Sequence, residues 1–315
     1  MCSFYTDRWI KFAQEGTWGT WATPTTFPNY LLEWSATTTE NKNEDDLIGG
    51  SRDWRKRVWL EEGIVGRWRQ ELVSAKIFEY ILGAKSGTTS PATYSPTSTL
   101  PCMSIYRGLY PDESGNTVSI GYAGMKVDTS ELTVEEGEDI RLELNFAGKN
   151  ATIPSASAKG ILDMSVIELG FGDSSIDVVT DTGTTLSGTL IQRLVISTNN
   201  NLNARYSSGV GSYKATELRE GGFEVSGRLV MGGQFNTISS QVLNRTSNTI
   251  ITYLKKTGST ITITLSNVSF GELADELSGL EPVSIELPFT ARPVSGNDAM
   301  KVVESFTGTY VGLPY

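Results

Sequence analysis

The sequence predicts a mainly β protein made of two tandem copies of one domain, each copy with a single flanking α-helix. Three observations lead to this fold class. Segments that alternate apolar and polar residues recur along the chain, which is the pattern of strands with one solvent-facing side. The 315 residues include 32 glycines and 11 prolines, so turns are frequent. Two blocks of sequence also recur later in the chain, in the same order.

The repeat has two parts with different offsets. Gly66-Arg67 recurs as Gly227-Arg228, an offset of 161 residues, whereas residues 117–149 align without gaps with residues 260–292, an offset of 143. The difference of 18 residues between these offsets requires an insertion in the first copy. The segment 86–101 is rich in Ser, Thr and Pro, a composition that cannot pack a core. We therefore predict that it is the insertion and forms an exposed loop.

Both copies carry matched strand predictions. The predicted strands cover residues 63–72, 118–122 and 140–146 in the first copy, and 223–230, 260–265 and 283–289 in the second. Pro288 suggests an edge or a bulge in the last of these. Segments 164–169 and 188–197 are strand-like and are assigned to the second copy. The expected domains are therefore residues 1–155 and 156–293, followed by a C-terminal extension at 294–315.

One segment of the first copy has the periodicity of a helix. Leu72, Val73, Ile77, Tyr80 and Ile81 recur at three to four residues, and Gly83 follows as a C-terminal stop. The matching segment of the second copy, residues 234–243, carries a weaker and shorter pattern.

The composition excludes most enzyme mechanisms. Histidine is absent, which removes Ser-His-Asp and Cys-His nucleophiles and zinc sites that need imidazole. Cys2 and Cys102 are far apart and are interpreted as incidental thiols. The sequence contains no phosphate loop, dinucleotide fingerprint or nucleophile elbow. We expect no catalytic, cofactor-binding or metal-binding residue, and hence no enzyme.

The charge and hydropathy limit the partners. The formal net charge of −10 argues against a nucleic-acid grip that depends on neutralising phosphates. It does not argue against a surface past which nucleic acid slides. No signal peptide is visible and no run of eighteen apolar residues exists, so we expect no membrane anchor.

Aromatic and basic residues crowd the first part of the chain. All seven tryptophans lie within residues 1–68, as an exposed glycan platform or, more in keeping with their strand positions, as a packed core or subunit interface. The segment 52–59 is a basic patch with interleaved aromatic residues, a pattern also found in nucleic-acid binders. Acidic runs flank it, which favours salt bridges between subunits. The interface candidates are Arg52, Trp54, Arg55, Arg57, Trp59, Arg67, Pro91 and Pro96.

Several segments together resemble one protein family. Gly50-Ser51-Arg52 is followed by a strand at 65–72 that leads into Ile81-Leu82-Gly83-Ala84. Further along stand 136–149, then Ile196–Leu202 with Arg205-Tyr206, and then Gly221–Val230. In this order, over about residues 12 to 293, the chain resembles the tail tube proteins (major tail proteins) of long-tailed double-stranded DNA viruses of bacteria or archaea.

The resemblance implies a fold and a role. It implies a β-sandwich or half-barrel domain flanked by one helix, joined sheet to sheet in rings that stack into a hollow tube for the genome. It brings no catalytic or cofactor residue. Many such proteins have one domain per chain and form hexameric rings, so two copies imply homotrimeric rings with pseudo-sixfold symmetry. Acidic walls would repel DNA phosphates in transit.

The resemblance also implies partners and leaves alternatives. The partners are copies of the chain, the terminator, the baseplate or distal tail, the tape measure, and double-stranded DNA bound without sequence specificity. The location is the virion tail, assembled in the host cytoplasm. Loop 86–101 and the acidic stretch 39–48 are expected at contacts between rings. The alternatives are another ring-forming tail component (a terminator, a baseplate-proximal ring or a contractile-injection inner tube) and a glycan-binding β-sandwich that uses its tryptophans.

Overall fold

The protein is described by a computed structural model in most of its length. The described residues are 9–23, 31–46, 55–87, 90–111, 117–152, 169–180, 185–187, 191–206, 214–232, 247–256, 259–271 and 284–306. Nineteen strands and one short α-helix occupy most of these residues, so the predicted mainly β fold is confirmed. No helix in these ranges is long and apolar enough to cross a membrane.

The first half contains nine strands and the helix. These elements are β1 (Trp9–Gln14), β2 (Leu31–Asp46), β3 (Arg55–Glu71), α1 (Phe78–Leu82), β4 (Gly83–Ser86), β5 (Ala92–Pro96), β6 (Met103–Pro111), β7 (Thr117–Glu135), β8 (Arg141–Gly148) and β9 (Asn150–Thr152).

The predicted helix of the first half exists but is shorter. A 3-10 turn at Ala75–Ile77 leads into α1, and Gly83, with φ of 102°, ends it as predicted. Leu72 precedes the helix because its N–H still donates to the Ile140 carbonyl, 2.8 Å away, which holds the chain in the sheet.

The described residues of the second half form ten strands. They are β10 (Ser174–Thr180), β11 (Thr185–Ser187), β12 (Ile191–Asn199), β13 (Asn203–Arg205), β14 (Glu217–Arg219), β15 (Glu224–Gly232), β16 (Asn248–Lys256), β17 (Ser259–Phe270), β18 (Ser284–Ala291) and β19 (Met300–Phe306). The predicted helix at 234–243 and the predicted strand at 164–169 lie outside the described residues.

Antiparallel pairing links seventeen of the strands into one open network. One sheet, here called the joint sheet, has the order β2-β3-β8-β7-β12-β15-β18. A second sheet has the order β11-β10-β16-β17-β19-β5-β4. A third consists of β1-β6-β7-β9. These open sheets are consistent with a β-sandwich.

The core lies against one face of the joint sheet. Burial alternates along β8, so that Leu142, Leu144 and Phe146 point inward. Trp68 on β3 is fully buried and meets the rings of Phe12 and Trp34 edge-on, at centroid distances of 5.5 and 6.1 Å. This tryptophan therefore belongs to the packed core.

One prediction about a connecting segment needs correction. Segment 86–101 is not an exposed loop throughout, because Ala92–Pro96 forms β5 and Tyr94 is only 1% exposed. Besides its neighbour β4, strand β5 pairs with β19, about two hundred positions away in sequence, and local composition does not reveal that pairing.

Strand registers repeat between the halves. Gly66 lies opposite Phe146 in the first half, and Gly227 lies opposite Phe289 in the second. These two pairs are related by the offsets 161 and 143 that the sequence supplied. Strands β6 and β7 pair in the same register as β16 and β17, with an irregularity at Met103 in one pair and at Asn248 in the other.

The bend between sheets repeats as well. Strand β7 leaves the third sheet and enters the joint sheet just after Gly124, whose φ is 72°. At the matching place in β17, Asn267 has a φ of 48°. Both residues hold the left-handed conformation, which glycine and asparagine tolerate best.

Pro288 sits where the sequence predicted an edge. It lies opposite Arg228 of β15, while on its other side β18 pairs with β17 only through residues 289–291. The ladder therefore needs no N–H from Pro288 on that side.

Candidate assembly interface

The two halves join strand to strand inside the chain. The last part of β7 pairs with β12, from Thr129 opposite Asn199 to Glu135 opposite Arg193. The Ser130 and Thr198 hydroxyls are 2.6 Å apart and buried, and Arg193 Nε lies 3.4 Å from Glu135 Oε2. We call this contact the internal joint.

The described residues of the connection between β12 and β15, 200–206 and 214–223, reinforce the internal joint. Asn200 donates to the Ile81 and Val127 carbonyls at 3.1 and 3.0 Å. The Lys126 ammonium, which is nearly buried, lies 2.6 Å from Glu220 Oε1. The connection therefore docks on the first half.

Glu220 lies at the centre of the contact between this connection and the first half. Its carboxylate also accepts a hydrogen bond from the Leu100 N–H at 3.0 Å. Burial acts to raise the pKa of Glu220, but the bonds from Lys126 and the backbone outweigh it, so its pKa is lowered. The carboxylate is therefore ionised and paired at neutral pH.

A second buried glutamate ties β19 to the first half. Glu304 accepts hydrogen bonds from Ser74 Oγ, the Ala75 N–H and Tyr94 Oη at 3.2, 3.1 and 3.4 Å. Burial raises the pKa of Glu304, and these hydrogen bonds only partly oppose the rise. This contact fixes β19, from the second half of the chain, to the first half.

Strand β2 is the counterpart of β12 in the first half. Leu31 pairs with Gln70 and Glu33 with Arg69, as Ile191 pairs with Met231 and Arg193 with Val230, and an irregularity separates the two pairs in each case. In the part of the chain that is described, β2 pairs only with β3, so its other edge is open. Thr38 is exposed, whereas the matching Thr198 is 3% exposed at the internal joint.

The face of the joint sheet opposite the core carries polar side chains, and we call it the bare face. At the internal joint it dips into a groove of about 530 Å³. The polar residues of the groove include Glu131, Glu143, Asn145, Asn199, Glu224 and Arg292.

The predicted interface residues fall in three environments. Arg67 lies on the bare face, where Glu143 accepts two hydrogen bonds from its guanidinium, at 2.7 and 2.6 Å. The expected acidic partner of Arg67 is thus found within the chain. Pro91 is exposed just before β5, and Pro96 ends that strand opposite Gly83.

The basic patch falls on the long hairpin of β2 and β3. The register sets Arg55 opposite Asp46, Arg57 opposite Glu44, and Trp59 opposite Lys42. The predicted acidic stretch 39–48 and the basic patch are therefore cross-strand neighbours up to Asp46. Arg52 and Trp54 lie outside the described residues.

The residues of the internal joint were missed by sequence reasoning. Lys126, Glu220 and Glu304 belong to no motif or charge run that would single them out in the sequence. The match between β2 and β12 was detectable only as a shared alternation, since the two strands share few residues.

The described aromatic and thiol side chains outside this interface make internal contacts. Trp18 donates to the Gly124 carbonyl at 2.8 Å, and Lys149 lies over its ring at 4.7 Å. Cys102 is buried, and burial, together with nearby Glu15, raises the pKa of its thiol to about 11. Such a thiol is a poor nucleophile at neutral pH.

Comparison with known proteins gives one match. A family model described as phage tail tube protein matches residues 10–309, nearly the whole chain. No curated protein matches the sequence.

Proposed function

Because this chain belongs to the phage tail tube protein family, we propose that it assembles with copies of itself into closed rings that stack into the hollow tail tube. Viral DNA leaves through this tube. The role is structural, and the protein has no enzymatic activity. The protein is located in the virion tail, which is assembled in the host cytoplasm.

The internal joint is the observation that supports self-assembly most directly. It is a sheet-to-sheet contact between two halves with the same registers. The open edge of β2 corresponds to the edge of β12 that the joint uses. A second chain docking on β2 would extend the joint sheet by the same kind of pairing and cover an edge that otherwise invites aggregation.

The repeat sets the ring symmetry that we propose. We infer that an internal duplication produced the two halves, with domains over 1–155 and 156–293 and residues 294–315 beyond them. The repeated registers, irregularities and bend support this inference. Three chains then give a ring with pseudo-sixfold symmetry, because a head-to-tail contact must close to avoid open filaments.

Partners follow from the position in the tail. We propose contacts with the terminator, the baseplate or distal tail and the tape measure, and passage of double-stranded DNA without sequence recognition. Segment 86–101, with Pro91 and Pro96, and the acidic stretch 39–48 are candidates for contacts between rings. The basic patch with Arg52, Trp54, Arg55, Arg57 and Trp59, together with Arg67, is a candidate for contacts between subunits.

Electron microscopy of the purified full-length chain tests the function. Stacked hollow rings with three chains and six lobes are expected. Single rings that never stack would favour the alternative of a terminator or another ring-forming component. Monomers at high concentration that bind polysaccharide would favour the glycan-binding alternative and contradict the proposal.

A matched pair of proline variants tests the edge of β2. Successive N–H groups of a strand point to opposite sides, so Thr37→Pro and Thr38→Pro remove one N–H facing β3 and one facing the open edge. The variant that loses the N–H facing β3 is expected to have a lower melting temperature. The variant that loses the N–H facing the open edge is expected to remain a folded monomer that forms no rings. Normal rings from both variants would refute the role of this edge.

A further inference from the structure

The bare face carries its charges in cross-strand rows. The first row, read from β2 to β18, is Glu33, Arg69, Glu143, Glu131, Ser197, Ser226 and Thr290. The second, read from β2 to β15, is Ser35, Arg67, Asn145, Thr129, Asn199 and Glu224. Further along the strands, the rows contain Glu71, Arg141 and Arg228, and then Glu135, Arg193 and Glu286.

Every arginine in these rows has a glutamate beside it. Arg67 is held by Glu143 in a bidentate ion pair, and Arg228 Nη1 lies 3.3 Å from Glu286 Oε1. Arg193 lies beside Glu135 across the internal joint. Of the remaining two arginines, Arg141 forms an ion pair with Glu138, and Arg69 stands opposite Glu33 and Glu143 in the strand register.

Two of these ion pairs are copies of each other. Arg67 corresponds to Arg228 at the offset of 161, and Glu143 corresponds to Glu286 at the offset of 143. Each pair bridges the same two strands of its half. Opposite charges across neighbouring strands help to fix their register, which gives a structural reason for arginines on this face.

The groove at the internal joint keeps a surplus of negative charge. Glu131, Glu143 and Glu224 line it together with a single arginine, Arg292. The core of the chain packs against the other face of the joint sheet, so a ring closed by repeating the internal joint would carry that bulk on its outside and turn the bare face inward.

We propose that the bare face is the wall that double-stranded DNA meets in the tube, and that glutamates neutralise Arg67, Arg141, Arg193 and Arg228, so that these arginines offer phosphates no free cation. This inference rests on the proposed function. A phosphate that approaches Arg67 or Arg228 must displace a carboxylate already in place, which removes the counterion-release gain that drives DNA binding. The wall lets DNA slide although it contains arginines.

The test uses tubes assembled from the full-length chain and short fluorescent double-stranded DNA, pelleted together at low salt. The variant Glu143→Gln with Glu286→Gln releases Arg67 and Arg228. It is expected to retain at least about tenfold more DNA than wild-type tubes, with the excess lost as salt is raised. The matched control is Glu217→Gln, which releases Arg219 from an ion pair of 2.8 Å on the small β13–β14 sheet.

Several outcomes decide the proposal. Retention confined to the double variant supports it, whereas no excess, or an equal excess in the Glu217→Gln control, overturns it. If the double variant does not assemble, Glu131→Lys adds a free cation to the same face without breaking an ion pair, and the same retention is expected. Wild-type protein that forms no tubes, seen by microscopy before DNA is added, refutes the proposed function itself.

Discussion

The two halves share their strand registers but differ in the connection that follows the edge strand. In the first half, β2 and β3 continue to pair as a long hairpin as far as Asp46 and Arg55. In the second half the chain leaves the sheet after Asn199 and returns at Glu224. On the way it docks on the first half through Asn200 and Glu220.

The difference between these two connections follows from what lies beside each of them. The connection 200–223 has the first half beside it and gains buried polar contacts there. Within the described chain, the matching residues 40–46 and 55–62 pair only with each other. Equivalent segments therefore differ because their surroundings differ, which is the situation that a neighbouring chain in a ring would change.

The largest expected effect separates two equivalent glycines. A Cβ at Gly227 would overlap the Val195 carbonyl and the Phe289 ring, whereas at Gly66 the nearest atoms are Met125 Cε at 3.1 Å and Trp34 Cη2 at 3.3 Å. We expect Gly227→Ala to lower the free energy of unfolding by about 3 kcal/mol or more, because backbone must move. Gly66→Ala should cost less than about 1 kcal/mol, because its neighbours are side-chain ends.

Urea denaturation of the two alanine variants measures this difference. Equal losses would contradict the different surroundings of the two glycines.

A smaller effect is expected at the docked connection. Glu220→Ala leaves the nearly buried Lys126 without its carboxylate and should cost about 2 kcal/mol. It should also speed amide exchange in residues 200–206 and 214–223 while leaving β2 and β3 unchanged. Hydrogen-exchange mass spectrometry reads both.

The control for Glu220 is Glu217→Ala. Glu217 pairs with Arg219 where both side chains are half exposed, so its loss should change stability by less than about 0.5 kcal/mol. Equal effects of the two substitutions would contradict the docking role of Glu220.

The smallest expected effect concerns how stability depends on pH. The contributions of Glu220 and Glu304 to stability change with pH in opposite directions. The pKa of Glu220 is lowered in the folded protein, so its contribution is present above the unfolded pKa and is lost as pH falls. The pKa of Glu304 is raised by burial, so its contribution is present below the unfolded pKa and is lost as pH rises through the folded pKa.

Glu304→Gln should therefore gain stability relative to wild type between about pH 4.5 and neutral pH, because an amide keeps an acceptor for Ala75 without a buried charge. Glu220→Gln should lose stability over the same range. Melting temperatures of the two variants and the wild type are measured as a function of pH. Parallel curves for both variants would contradict the opposite pKa shifts of Glu220 and Glu304.

Local pattern predicted the strands well and the helix in part. The alternation at residues 140–146 and 283–289 became β8 and β18, because one face of each strand meets the core. The helix was predicted too early, since Leu72 is held by Ile140 from another part of the chain. Segment 92–96 was taken for a loop because its Ser-, Thr- and Pro-rich composition hid a strand whose second partner, β19, lies far away in sequence.

The interface was the least predictable part. Arg67 was identified from its basic neighbourhood, but its partner Glu143 lies on another strand. Glu220 and Glu304 had no local signal, because their importance comes from burial beside Lys126 and Ala75.

By itself, the sequence determined the β class, the repeat with its two offsets and the family resemblance, since these depend on residue order and alternation. The tertiary structure alone decided which edges pair and which stay open. Pairing of β7 with β12 and of β5 with β19 joins segments remote in sequence, and such contacts depend on how whole sheets pack. The same alternating strand can be an edge or a centre, and only its neighbours in space decide which.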